Sequence, residues 1–258
     1  MSKKNYRIIC VAFIVCSAAV TQAQNFAVAA SYQVGVNPDG IAAGDFNGDG
    51  KLDLIAVNDA ALSGAPSVSL LLGNGDGTFQ PAITIPTSGF PLKVAVGDFN
   101  GDGKLDFAVC YVSDSIEIYF GNGDGTFQPP VTVSVPALQP PGSITPGVIT
   151  QLIAADLRGL GKPDLLGATG DGVVVLLNNG SGGFTPSGFA LEGQSIDFFT
   201  VGDVNHDGKP DIVAAGQVGN ISAGFSDQGF VALGNGDGTS QAPTPLPVTA
   251  LTTAGLAL

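Results

Sequence analysis

The chain has 258 residues, 44% hydrophobic and 12% charged, with 22 acidic against nine basic side chains and a formal net charge of −13. The apolar content excludes a disordered chain, and the acidity argues against a nucleic-acid surface. A single histidine and three cysteines leave little material for nucleophilic catalysis or for nitrogen and sulfur metal sites.

At the N-terminus Lys3, Lys4 and Arg7 precede an apolar run from Ile8 to Val20, followed by Thr21, Gln22 and Ala23. This reads as a secretory signal peptide over residues 1–23, giving an exported protein, secreted or held at a cell surface. The run is short for a membrane span, and no later stretch reaches the roughly 18 apolar residues one needs. Val15 is not the small residue that lipid attachment at Cys16 would call for. Cleavage removes Cys10 and Cys16 and leaves Cys110, within FAVCYV, as a core residue with no disulfide partner. It also leaves six basic against 22 acidic side chains, a net charge of about −16 over residues 24–258.

The first informative stretch is GDFNGDGKLDLIAVND, residues 44 to 59. In loop 45–53, Asp45, Asn47, Asp49 and Asp53 place side-chain oxygens at positions 1, 3, 5 and 9, with the Lys51 carbonyl available at position 7. An oxygen-only set on a sharp turn suits a hard cation such as calcium, and Gly50 supplies the turn. An EF-hand would place Glu at position 12, where this chain has Ala56, and would flank the loop with helices. The β-branched, apolar run that follows reads instead as a strand, so the loop joins two strands.

The same loop returns at 98–106, with Asp98, Asn100, Asp102, Lys104 and Asp106, and at 203–211, with Asp203, Asn205, Asp207, Lys209 and Asp211. Turn propensity alone does not ask for carboxylates at identical offsets three times. A fourth copy at 156–164 is degenerate. Arg158 and Leu160 occupy positions 3 and 5, leaving Asp156 and Asp164, too few ligands for calcium. About three calcium ions are therefore expected. Eleven of the 22 acids lie in these four loops. His206 stands at position 4, where Gly48 and Gly101 stand elsewhere, and is read as a residue tolerating positive φ, not as a ligand or catalyst.

A second repeated element, GNGDGTFQP at Gly73 and Gly121, returns as NNGSGGFTP at Asn178 and GNGDGTSQAP at Gly234. Asn-Gly and Asp-Gly pairs between apolar strands signal hairpins, so Asp76, Asp124 and Asp237 are read as turn residues. One unit is then strand, acidic loop, strand, variable loop, strand, hairpin, strand. Antiparallel order puts the acidic loops and hairpins on one rim and the variable loops on the other. The longest variable pieces begin at Asn58, Val135 and Ala214. Loop-to-loop spacings of 53, 58 and 47 residues suit propeller blades.

These residues resemble the FG-GAP or VCBS-type repeats of integrin-like β-propellers, whose blades carry D-x-[DN]-x-D-G-x-x-x-D calcium loops. The resemblance covers nearly all of residues 24–258 and implies an all-β propeller of about four four-stranded antiparallel blades. It implies calcium between the first two strands of each blade, at the loop positions named above. Phe26 lies 19 residues before Asp45, as Phe79 lies before Asp98, so residue 26 is expected to open a fourth strand, while Leu256 to Leu258 fall where a fifth blade would start. An incomplete ring with self-association through its edges is the expectation.

No catalytic constellation emerges, and the paired carboxylates are assigned to the loops, not to glycosidase chemistry. The leading functional expectation is an adhesion-like binding or scaffold module, with a protein or glycan ligand on the rim opposite the calcium loops. A fungal lectin family resembling this plan makes a carbohydrate-binding propeller one alternative, although the chain has no Trp. A polysaccharide-lyase-like enzyme is another; it would draw on Lys93, Tyr32, Tyr111 or Tyr119, read here as surface and packing residues.

Overall fold

The computed structural model describes residues 30–60, 64–112, 115–135, 148–220 and 224–246. The signal segment 1–23, the strand expected at Phe26 and the tail at Leu256 to Leu258 lie outside these, as does most of the Pro-rich loop after Val135. Every regular element among the described residues is a strand, and no helix among them is long and apolar enough to cross a membrane.

Among the described residues, sixteen strands form four four-stranded antiparallel sheets, each from consecutive segments. The first blade is β1 (Pro38–Gly44), β2 (Asp53–Asn58), β3 (Ser67–Leu71) and β4 (Ile83–Pro86). The second is β5 (Pro91–Gly97), β6 (Asp106–Tyr111), β7 (Ser115–Tyr119) and β8 (Val131–Ser134). The third is β9 (Gln151–Ala155), β10 (Asp164–Thr169), β11 (Gly172–Asn178) and β12 (Phe184–Ala190). The fourth is β13 (Ser195–Gly202), β14 (Asp211–Asn220), β15 (Gly224–Ala232) and β16 (Thr244–Pro245). In each blade the acidic loop joins two directly paired residues: Gly44 with Asp53, Gly97 with Asp106, Ala155 with Asp164, and Gly202 with Asp211.

Second strands such as β6 are buried on both faces, because neighbouring blades cover both. That is why DFAVCY is almost wholly apolar and not alternating. Fourth strands form the outer edge, and β4 is largely exposed. The core lies in three seams. Ile55, Val57, Val68 and Leu70 of blade one meet Val94, Phe107 and Val109 of blade two. Ala108, Cys110, Ile116 and Ile118 meet Leu152, Leu165 and Val174 of blade three. Leu166, Ala168 and Val173 meet Ile212, Ala214 and Phe230 of blade four. Cys110 is fully buried there, and burial pushes its thiol up to about 12.

The first strands pack side by side in the order β1, β5, β9, β13, and among the described residues no comparable packing joins β13 to β1. Among the described residues the ring is not closed. Side chains at the two ends register this. Leu105 of blade two lies over Gly44, and Pro163 of blade three lies over Gly97, whereas the corresponding Leu52 of blade one is 67% exposed. At the other end, Phe46, Phe99 and Leu157 at loop position 2 are buried, but Val204 is 37% exposed. Residues from Tyr32 to Gly35 cover part of the outer face of blade one, with Tyr32 edge-on to Phe79 and the Gly35 amide donating to Ser69 Oγ.

Candidate functional site: the acidic loops

The three intact loops have one construction. Asp45 Oδ1 accepts from the amides of Gly48 (2.8 Å) and Asp49 (3.1 Å), and its Oδ2 accepts from Gly50 (2.8 Å). Asn47 Oδ1 accepts from the Asp49 amide at 3.0 Å. Asp98 and Asn100 repeat this toward Gly101, Asp102 and Gly103. Asp203 and Asn205 repeat it toward Asp207 and Gly208. The turn needs positive φ at position 4, where Gly48 has 72° and Gly101 has 77°. His206 adopts 61° in that slot, the backbone role read from the sequence.

Position 5 faces the loop's own lysine. Asp49 Oδ1 accepts from the Lys51 amide at 3.0 Å, and Lys51 Nζ lies 3.2 Å from Asp49 Oδ2, so this side chain turns back onto the loop. Its stem also lies over Gly75 of the hairpin, and Lys104 and Lys209 cover Gly123 and Gly236 in the same way.

Position 9 has a role that the sequence did not disclose. Asp53, Asp106 and Asp211 are fully buried, and each uses both carboxylate oxygens as a staple. Asp53 Oδ2 accepts from Phe46 N (2.9 Å) and Oδ1 from Gly73 N (2.8 Å). Asp106 takes Phe99 N and Gly121 N, and Asp211 takes Val204 N and Gly234 N. The acidic loop is thereby tied to the start of the hairpin in its own blade. Glycine stands at 73, 121 and 234 because a Cβ there would lie 2.0 to 2.2 Å from the carbonyl oxygens of Leu52, Leu105 and Pro210. Burial pushes the Asp106 carboxyl up to about 6; the Gly121 and Phe99 amides pull it down, and the charges of Asp102 and Asp98 push it further up.

The degenerate loop solves the same problem with a protein cation. Asp164 is fully buried and accepts from Asn178 N at 2.8 Å. The Leu157 amide turns to Ala155, and Arg158 fills its place: Nε lies 3.2 Å from Asp164 Oδ2, and Nη2 lies 2.7 Å from Oδ1 and 2.5 Å from the Asn178 carbonyl. Asp156 still accepts from Leu160 N and Gly161 N, so the turn survives the loss of positions 3 and 5.

The hairpins are closed by Asp76, Asp124 and Asp237. Each accepts from the amide and hydroxyl of the threonine two residues on, which holds its carboxyl below the usual range. They also knit blades together. The Gly125 amide donates to the Phe46 carbonyl of blade one, and the Gly182 amide to the Phe99 carbonyl of blade two.

Among the described residues, no three His, Cys, Asp or Glu side chains converge on one point in this arrangement. The residues considered for a lyase-like groove are otherwise engaged. Tyr111 and Tyr119 both donate their hydroxyls to buried Glu117, which also accepts from Ser88 Oγ at 2.6 Å. Burial raises both phenol pKa values, that of Tyr119 to about 12. Lys93 pairs with Asp39 at 2.9 Å on the surface.

The profile of the FG-GAP-like repeat matches residues 45–109, 98–159 and 156–214, well over half of the chain. The chain belongs to the FG-GAP-like repeat family. The three matched units each run from one acidic loop into the next, so the family signature in this FG-GAP-like repeat protein is carried by the loops described above. No curated protein matches the chain. Among solved structures it is similar to an Agrocybe aegerita lectin described for specific recognition of non-reducing terminal N-acetylglucosamine. That match has 25% identity and a TM-score of 0.56, over 79% of this chain and 50% of the lectin chain. This FG-GAP-like repeat protein thus spans about half the length of that relative. It also aligns with the V. cholerae biofilm matrix protein Bap1 at 16% identity and a TM-score of 0.38, over 81% of this chain and 39% of that one.

Proposed function

We propose that this protein is an exported binding or scaffold module whose three intact loops each hold a structural calcium ion. The observation that carries this reading is the contrast at position 9. Of the four fully buried aspartates there, Asp164 has a guanidinium on it, while among the described residues Asp53, Asp106 and Asp211 have only backbone amides. An isolated buried carboxylate is costly unless a positive charge or strong hydrogen bonding compensates it. Where the chain supplies arginine, it has also lost the ligands at positions 3 and 5; where it keeps those ligands, it supplies no arginine.

The donor set fits a hard cation, being oxygen throughout. Asp45, Asn47, Asp49, the Lys51 carbonyl and Asp53 would hold it in the first loop, with the matching residues of 98–106 and 203–211 in the others. For this, Asp49 must exchange the ammonium of Lys51 for the ion. A bound calcium supplies the charge that offsets three carboxylates in a nine-residue loop. The chain's own groups set the loop shape beforehand through the amides gathered on Asp45 and its equivalents. Loading should stabilise the fold by RT ln(1 + [Ca]/Kd), about 2.7 kcal/mol per site at a hundredfold excess over Kd. Metal analysis of chelated and reloaded protein should return about three calcium ions per chain. Zero or one would end this reading.

A second reading, glycan binding, is favoured by the similarity to the N-acetylglucosamine-recognising lectin. The rim opposite the acidic loops, where the variable loops lie, is the surface proposed for it. Titration with terminal N-acetylglucosamine oligosaccharides in calcium buffer tests it, and no saturable heat at millimolar ligand would set it aside.

A further inference from the structure

In the first two seams a phenylalanine just after the hairpin reaches across to the loop of the preceding blade. The Phe127 ring lies 5.9 Å from Phe46 at 61°, and the Phe184 ring lies 5.7 Å from Phe99 at 72°. Phe127 also stands edge-on to Phe107 at 4.7 Å. The third seam repeats the backbone but not the rings. Gly234 bridges Ser240 as Gly121 bridges Phe127, so Ser240 occupies the phenylalanine position. Leu157 occupies that of Phe46 and Phe99. The space is not taken up by collapse. A cavity of about 210 Å³ remains between blades three and four, lined by Leu157, Val175, Phe189 and Ile212, with Thr239 and Ser240 on its wall.

Leu157, Val175 and Ile212 are 6%, 4% and 3% exposed, so the floor is buried and apolar, while Thr239 and Ser187 of the lining are exposed and mark the mouth. Close-packed interiors do not normally leave such a space, and an apolar cavity of roughly 150 Å³ takes up benzene. The two homologous seams show what the space accommodates, a benzyl group set against the loop of the neighbouring blade.

We propose that the cavity between blades three and four is a binding site for a small ligand carrying a single phenyl ring, seated where Phe127 and Phe184 sit in the other seams and with its polar substituent at the mouth. The site borders two acidic loops, through Leu157 of 156–164 and Pro210 of 203–211, but none of the proposed calcium ligands lines it, and it depends on neither calcium nor glycan recognition.

The probe is benzyl alcohol, titrated into the full chain with methyl-labelled Leu, Val and Ile followed by NMR. Saturable shifts are expected at the methyl groups of Leu157, Val175 and Ile212, with a dissociation constant of about 1 mM or tighter, as suits a ligand of this size. Ser240→Phe should fill the cavity, raise the melting temperature and weaken binding at least tenfold, whereas Phe127→Ser should open a second site between blades one and two. N-acetylglucosamine, run in parallel, should not shift these methyl groups. Absence of saturable shifts in the unmodified protein overturns the proposal whatever the variants do. So does binding that Ser240→Phe leaves unchanged, or N-acetylglucosamine occupying the same methyl cluster.

Discussion

Replacing Arg158 with alanine isolates the cost of a position 9 carboxylate that has lost its cation. The guanidinium makes two contacts with Asp164, at 3.2 and 2.7 Å, and a third with the Asn178 carbonyl at 2.5 Å. The Asp164 side chain is 0% exposed and that of Arg158 is 19%. Because the Leu157 amide has turned to Ala155, only the Asn178 amide would remain on Asp164 in the variant. Breaking a buried pair by removing one partner costs about 3–5 kcal/mol. At roughly 2–4 °C per kcal/mol for a chain of this size, the melting temperature should fall by about 6–20 °C. Differential scanning calorimetry in excess calcium reads this directly. Asp164→Asn added to Arg158→Ala removes the charge at nearly constant shape and should recover a substantial part of the loss. A fall below about 1 kcal/mol, or a double variant no more stable than Arg158→Ala, would show that the buried charge is not what the arginine serves, and would remove the main support for cations in the other three loops.

Three further outcomes are expected. Asp102→Ala should shrink the melting-temperature difference between calcium and chelator by about a third, whereas Asp164→Ala should leave that difference almost intact; equal effects would contradict the assignment of the degenerate loop. The Asp106 carboxyl, raised by burial to about 6, favours the folded state most below about pH 4, and that contribution is lost as pH rises through 6. In chelator, the stability of the unmodified protein relative to Asp106→Asn should therefore fall by about 2–3 kcal/mol between pH 4 and pH 7, and a flat profile would refute it. Gly121→Ala would put a Cβ 2.2 Å from the Leu105 carbonyl oxygen, so the expected loss is about 1–3 kcal/mol or more, whereas Gly103→Ala meets no atom within 4 Å and is penalised only by its φ of 81°.

Much was legible in the sequence because each blade states its own local rules. The acidic loop, the apolar strand and the Gly-Asn-Gly-Asp-Gly hairpin are short-range signals, and their repetition at 53, 58 and 47 residues determined the number of blades and the order of strands. Glycine or a tolerant residue was required at loop position 4 whatever lay around it, and His206 at φ 61° obeys that local demand. What only the tertiary structure decided are relations between segments at variable separation. The staple from the position 9 aspartate to the hairpin amide spans 20, 15, 14 and 23 residues in the four blades, so no fixed spacing announces it. The pairing of Arg158 with Asp164 needed the Leu157 amide to turn away, a backbone choice that the residue types do not dictate. The consequence of serine at position 240 was likewise invisible along the chain. A phenylalanine contributes there only by crossing into the neighbouring blade, and its absence becomes a cavity only once two blades are packed against each other.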